Sequence, residues 1–258
     1  MPKETVGKTF FVAFAVCVVF SVLVSGAAVY LRPVQELNKL LDKKRNILTA
    51  AGLYQPGADI DALFGRIEAR LVDLRTGAYV DGVDASTYDQ RDAARDPQRS
   101  VEISAAVDRA GLKRRAAQAA VYLVRDGGRV TKVILPVHGK GLWSTMYGFI
   151  ARDAGDVNTI RGLVFYEHGE TPGLGGEVDN PAWQSLWDGK RAYGSDGEVR
   201  IALIKGQVDA SRPGAVHQVD GLSGATITSR GVDGMLQYWL SQNGFGVYLN
   251  RLRSEGVS

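Results

Sequence analysis

The 258-residue chain has a single cysteine, Cys17, and only three histidines, His138, His168 and His217. One thiol builds neither a disulfide framework within a chain nor a thiolate metal site. Zinc fingers and iron–sulfur ligation are thereby excluded. The histidines do not recur at ligand spacing such as H-x-x-x-H, so no metal site is expected. Strong charge imbalance is missing too: 31 Lys and Arg against 28 Asp and Glu leave a net charge of +3. No long basic block occurs, and nucleic acid is not an expected partner. No internal repeat is present. Glu170-Thr171-Pro172-Gly173-Leu174-Gly175-Gly176 is Gly-rich, but it lacks the closing Lys-Ser/Thr of a P-loop. Nor is it a G-x-G-x-x-G leading from a strand into a helix, so ATP and NAD binding are not supported.

Thr9 to Leu31 is an uncharged run of 23 residues. As a helix it spans about 34 Å, slightly more than a bilayer's hydrocarbon core. The reading is a transmembrane helix. A cleaved signal peptide competes with it, because Ser25-Gly26-Ala27 places small residues near its end, but the run is long for a signal. Phe14-Ala15-Val16 before Cys17 argues against a lipoprotein. Lys3 and Lys8 precede the run, while Arg32, Lys39, Lys43, Lys44 and Arg45 follow it. Counting Lys and Arg alone puts the C-terminal side in the cytoplasm, although large domains translocate despite their charge.

Pro33 is expected to end or kink the membrane helix. Val34, Leu37, Leu41 and Leu48 then recur at helical spacing among lysines, which reads as an amphipathic juxtamembrane helix broken at Gln55-Pro56-Gly57. It would lie on anionic lipid or pack on the soluble domain. Asp59 reads as the N-cap of another helix, with Ile60, Leu63, Phe64, Ile67 and Leu71 inward. Residues 84–115 are rich in Asp, Arg and Ala and read as surface segments with one short helix. Beyond Ala119, Val121–Val124, a turn at Asp126-Gly127-Gly128 and Val130–Leu135 read as a β-hairpin. Tyr147–Ile150, Leu163–Tyr166 and Arg200–Ile204 read as further strands. Strands clustered in the second half with helices at its edges predict an α+β fold. The expected divisions are 1–8, a short tail; 9–31, the transmembrane helix; 32–55, the amphipathic helix; 56–118, a helical and irregular part; and 119–258, a C-terminal domain.

Asp220-Gly221-Leu222-Ser223-Gly224-Ala225-Thr226 carries the chemistry. It places a threonine hydroxyl at the end of a Gly-rich turn, directly before an amphipathic helix with Val232, Met235, Leu236, Trp239 and Leu240 on one face. Unpaired amides and the positive end of a helix dipole favour a phosphate there. A hydroxyl at that place holds a phosphate noncovalently, is esterified by one, or merely caps the helix. Gly221 to Ala225 nearly fits a hydrolase nucleophile elbow. However, Ala225 replaces its second glycine and no histidine follows Ser223. Gly139-Lys140-Gly141-Leu142-Trp143-Ser144 is either a flexible anion-facing loop or a turn with a packed Trp.

The Asp220–Thr226 string resembles the flavinylation motif Asp-Gly-x-Ser/Thr-Gly-Ala-Thr, in which the last Thr carries FMN through a phosphoester. Together with the Asn38–Leu48 run, the Gly139–Ser144 loop and Tyr166-Glu167-His168-Gly169-Glu170-Thr171-Pro172-Gly173-Leu174-Gly175, it makes the chain similar to the NqrC subunits of bacterial sodium-translocating NADH:quinone oxidoreductases. The RnfG subunits of Rnf-type electron-transport complexes share the motif but are typically shorter between membrane and flavin domain. A membrane-anchored, non-redox binding or assembly module is the other alternative.

The resemblance implies a fold with one transmembrane helix and an FMN-binding domain over 119–258. It implies one covalent FMN on Thr226, attached by a separate flavin transferase using FAD. Ser223, Gly224, Ala225 and Thr228 would surround the phosphate, or Ser223 and Thr228 would only cap. Glu170, Thr171, Gly173, Leu174 and Gly175 would form a wall against the ring. Trp143 would shield the ring or be a core residue, and Lys205 would pair with the phosphate or a reduced flavin, or be a solvated lysine. No catalytic side chain and no NADH site are implied. The implied role is electron relay to a second covalent FMN and then quinone within a six-subunit sodium-exporting assembly. Its place is the bacterial inner membrane among lipid, with residues 1–8 cytoplasmic and the flavin domain periplasmic, against the Lys/Arg count.

Overall fold

The computed structural model describes residues 5–256, so the tail proposed over residues 1–8 lies partly outside the described residues. The chain divides after Lys43 into two units. In the first, helix α1 (Val6–Ala50) is long and apolar enough to cross a membrane. Its most apolar 18-residue window has a mean hydropathy of 2.6 and is unburied. The helix does not end at Pro33. Proline removes one backbone N–H, and the ladder resumes beyond it. The helix closes at Ala50, before Gln55-Pro56-Gly57, where Gly52 takes a φ of 68°.

The second unit is α+β. Short α2 (Ile60–Phe64) starts at Asp59, whose carboxylate accepts from the amides of Asp61 and Ala62. The helix expected to carry Ile67 and Leu71 inward stops at Phe64, and both residues lie on β1 (Ile67–Asp73) instead. A spacing of four puts two residues on one face of a helix and also on one face of a strand. Pairing of β1 along its length with β4 decides between them. The 84–115 region contains α3 (Gln90–Arg95) and a ribbon of β2 (Ser100–Glu102) with β3 (Arg114–Ala116).

Strands β4 (Gln118–Asp126), β5 (Arg129–Lys140), β6 (Thr145–Asp153) and β7 (Ile160–Glu167) complete a five-stranded antiparallel sheet in the order β1-β4-β5-β6-β7. The period of two sorts the strands cleanly between two cores. Ala119, Val121 and Leu123 of β4, with Val133, Leu135 and Val137 of β5, face one core. Ala120, Tyr122, Val124, Ile134, Phe149 and Ala151 face the other, where Ile47, Ala50 and Ala51 also pack. The β4–β5 turn falls at Gly127-Gly128, both with positive φ.

After short α4 (Pro181–Ser185), β8 (Ala202–Ile204) pairs in parallel with β9 (Gln218–Asp220). Helices α5 (Thr226–Trp239) and α6 (Gly246–Glu255) follow. The expected face of α5 is the buried one: Val232, Met235, Leu236 and Trp239, with Leu240 just beyond its end, all lie in the first core.

Close approach of α5 to the end of β5 depends on two glycines. A Cβ at Gly139 would stand 2.8 Å from the Met235 Cβ, and one at Gly231 would overlap the Lys140 carbonyl oxygen. Gly231→Ala therefore sets a helix-propensity gain of about 1 kcal/mol against an overpacking cost of about 1–3 kcal/mol. The obstacle is backbone and cannot rotate away, so net destabilisation is expected. Urea unfolding of the variant checks the sign, and a more stable variant would contradict the close packing.

Candidate functional site

Thr226 is the first residue of α5 and is exposed. It follows Gly224, with a φ of 71°, and the N-cap Ala225. No side chain caps this helix. Its first-turn amides are thus left for solvent or a ligand. The strand preceding the turn is firmly held. The Asp220 carboxylate accepts from the Val208 amide at 2.8 Å, its carbonyl accepts from the Trp183 indole N–H at 2.9 Å, and the Gly221 amide donates to Ile204 at 2.8 Å. The aspartate at the head of the Gly-rich string thus fixes the turn.

Beside Thr226 lies a cavity of about 250 Å³ lined by three segments of chain. One contributes Leu142 and Trp143. A second contributes Glu170, Thr171, Leu174 and Gly175. The third runs from Gly224 to Thr228. Leu142, Trp143, Leu174 and Ile227 are between 45% and 70% exposed. Four large apolar side chains left in solvent around one opening form a collar suited to a flat apolar ligand.

Glu170 is only 4% exposed. Its carboxylate accepts from the Thr228 hydroxyl at 2.5 Å and from the amides of Trp143, Leu142 and Ser144 at 2.9, 3.1 and 3.4 Å. Burial alone would raise its pKa, but these four donors outweigh burial and hold it below the ordinary carboxylate value. The Ser144 hydroxyl in turn accepts from the Gly169 amide at 2.6 Å. A group whose folded pKa is depressed stabilises above its unfolded pKa and loses that contribution as pH falls through the folded value. Stability differences between wild type and Glu170→Gln should therefore shrink below about pH 4.3, the unfolded value. Urea titrations across that range measure this, and a difference independent of pH would refute it.

The structure gathers Trp143, Glu170, Thr171, Leu174, Gly175, Gly224, Ala225, Thr226 and Thr228 at the cavity. It leaves others outside. Ser223 is exposed and does not line the cavity, and Gly173 is an exposed turn residue with a φ of 76°. Lys205 is exposed one residue beyond β8 and is likewise absent from the lining. Trp143 is exposed and not a core residue, whereas Thr228 is buried against Glu170. Leu142 and Ile227 join the collar without having been singled out from the sequence. Their one signal was adjacency to Trp143 and Thr226.

Comparison with known proteins agrees with this geometry. A family model described as an FMN-binding domain matches residues 141–241, which include all the lining residues. The NqrC subunit of the Na(+)-translocating NADH-quinone reductase of Pseudomonas aeruginosa is 51% identical over 255 residues, covering 97% of each chain. The Yersinia pestis protein of the same name is 48% identical, over 97% of this chain and 94% of its own. Among solved structures, Shewanella oneidensis NqrC superposes with a TM-score of 0.78 at 38% identity, covering 84% of this chain and 99% of that one. The corresponding structure from Parabacteroides distasonis gives 0.66 at 33% identity, covering 85% and 96%. Identity of this order along nearly the whole length, with the same fold around the same turn, means that the chain belongs to the NqrC family of Na(+)-translocating NADH-quinone reductase subunits and carries that family's FMN-binding domain.

Proposed function

We propose that Thr226 carries FMN through a phosphoester bond, and that the chain relays electrons within a sodium-exporting NADH:quinone reductase. The observation that carries this reading is the exposed Thr226 hydroxyl at the uncapped start of α5, beside the apolar collar. An esterified phosphate keeps its negative charge, which free first-turn amides and the helix dipole stabilise. Glycine at 224 keeps the turn low: a Cβ there would stand 3.0 Å from Leu174 Cδ2. The residues present thus fit the phosphate end and one face of a flat ring.

When bound, FMN supplies reversible one-electron chemistry, and the protein supplies position and electrostatics. Thr226 would hold the phosphate. Leu174 and Trp143 would flank the ring, and Thr171 would bond its edge. Ser223 and Lys205 stand outside the lining, so any part they take is played from the rim. A cavity of about 250 Å³ is at the small end for ligand pockets, and a ring held there stays partly open to solvent and to other proteins. Such openness suits electron exchange with neighbouring subunits.

The remaining assignments follow the family resemblance. A flavin transferase would load the site, and one FMN would be carried per chain. Helix α1 would anchor the chain among lipid in the inner membrane, with the flavin domain on the periplasmic side and the other five subunits as partners. Electron flow through the flavin from NADH to quinone would be coupled to sodium export.

The test is a denaturing gel viewed under ultraviolet light. Full-length chain co-expressed with a flavin transferase should give a fluorescent band, and chain expressed without it should not. A dark band, with the transferase shown active on another acceptor, would sink the covalent assignment.

A further inference from the structure

The three segments that line the cavity are far apart in the chain, and each is bound to the same carboxylate. Leu142, Trp143 and Ser144 donate their amides to Glu170, which itself belongs to the second segment, and Thr228 donates from the first turn of α5. Among the described residues all four donors are neutral, so no ion pair competes for the carboxylate. Two glycines clear its path. A Cβ at Gly141 would lie 2.5 Å from Glu170 Oε1, and one at Gly175 would lie 2.5 Å from the Thr228 hydroxyl and 3.0 Å from Glu170 Oε2.

We infer that Glu170 is the positioning residue of the flavin site: its carboxylate ties the three walls together and acts on the ring through Trp143 and Thr228, without touching the flavin. This rests on the reading that the cavity takes FMN. It assigns Glu170 a role distinct from that of Thr171 and Leu174, its neighbours in the same loop. The wall they present keeps its shape because the carboxylate behind it is saturated with donors.

The chemistry of the four bonds makes the isosteric variant informative. Oε1 accepts from Trp143 and Ser144, while Oε2 accepts from Leu142 and Thr228. Glutamine keeps the size but turns one acceptor into a donor. Whichever way the amide faces, at least one backbone N–H of the Trp143 loop meets another donor. Loss of that tie should raise opening of the loop about tenfold, the factor that corresponds to about 1.4 kcal/mol.

The experiment uses the full-length chain, with and without a co-expressed flavin transferase. Hydrogen exchange of the peptide spanning residues 141–146 reads the tie directly. Visible circular dichroism of the bound flavin reads how firmly the ring is held. Glu170→Gln should exchange about tenfold faster in that peptide and lose induced flavin dichroism. Thr228→Val, which cuts only the link to α5, should weaken the dichroism, and Thr228→Ser should restore it. A Glu170→Gln chain with wild-type exchange and wild-type dichroism would overturn the inference. Where that variant fails to fold, identical dichroism in the Val and Ser variants would do the same. A wild-type chain without covalent flavin would instead sink the assignment of Thr226, and exchange in the flavin-free chain would still decide what Glu170 does.

Discussion

Thr226→Val should abolish in-gel flavin fluorescence completely while leaving the fold unchanged. The hydroxyl is the only group the substitution removes, because valine nearly matches threonine in shape. Thr226 is exposed, and among the described residues its hydroxyl makes no hydrogen bond. Valine at the first helical position costs little, since helix propensities of ordinary residues differ by less than about 0.7 kcal/mol. Surface changes of this kind fall within about 0.5 kcal/mol in stability. Total loss of label with unchanged stability is therefore the expected pair of results. It separates an attachment residue from a structural cap, whose loss would lower stability. A Val variant that still fluoresces would move the attachment elsewhere, with Ser223 the nearest hydroxyl in sequence.

Much of this site was legible in the sequence because its residues lie in short, compositionally odd strings. The turn before α5, the glycines at 173 and 175 and the exposed Trp143 all stand in such strings, and the hairpin of β4 and β5 stood out by its alternation. What could not be read was set by contacts between distant segments. Glu170 meets the Trp143 amide 27 residues away and Thr228 58 residues away. Nothing local distinguishes a carboxylate that will be buried among amides from one that will face a ligand. The same holds for β1. Ile67 and Leu71 satisfy both periods, and only pairing of Leu71 with Ala120 and of Ile67 with Val124 resolves them. In the Asp/Arg-rich region, the anchor of α3 is also long-range. The Arg91 guanidinium lies 3.5 Å from the centre of the Tyr147 ring and pairs with both carboxylate oxygens of Glu167, at 3.0 and 2.7 Å. Lys205 shows the reverse error risk: a lone cation near a phosphate turn in sequence is exposed outside the cavity lining.

Trp239→Ala should cause the largest loss of stability, and it should do so without altering the chemistry at Thr226. The side chain is fully buried at the far end of α5. Its ring centre lies 4.8 Å from that of His138, 5.4 Å from Phe245 and 5.5 Å from Tyr238. Its indole N–H donates to the His138 carbonyl at 2.6 Å. Removing a buried Trp costs about 3–5 kcal/mol through lost transfer energy and the cavity left behind. Against a typical total of about 5–15 kcal/mol, that is a large fraction of what holds a domain folded. Trp239→Phe keeps most of the packing and leaves the carbonyl without its donor, a loss of about 1–3 kcal/mol. Urea unfolding should therefore rank wild type above Phe and Phe above Ala. Thr226 stands about 20 Å away along the helix, so flavin fluorescence per folded molecule should stay constant through the series. An Ala variant as stable as wild type would show that α5 is fastened elsewhere. Label that falls faster than the folded fraction would show that the far end of the helix also sets the geometry of its start.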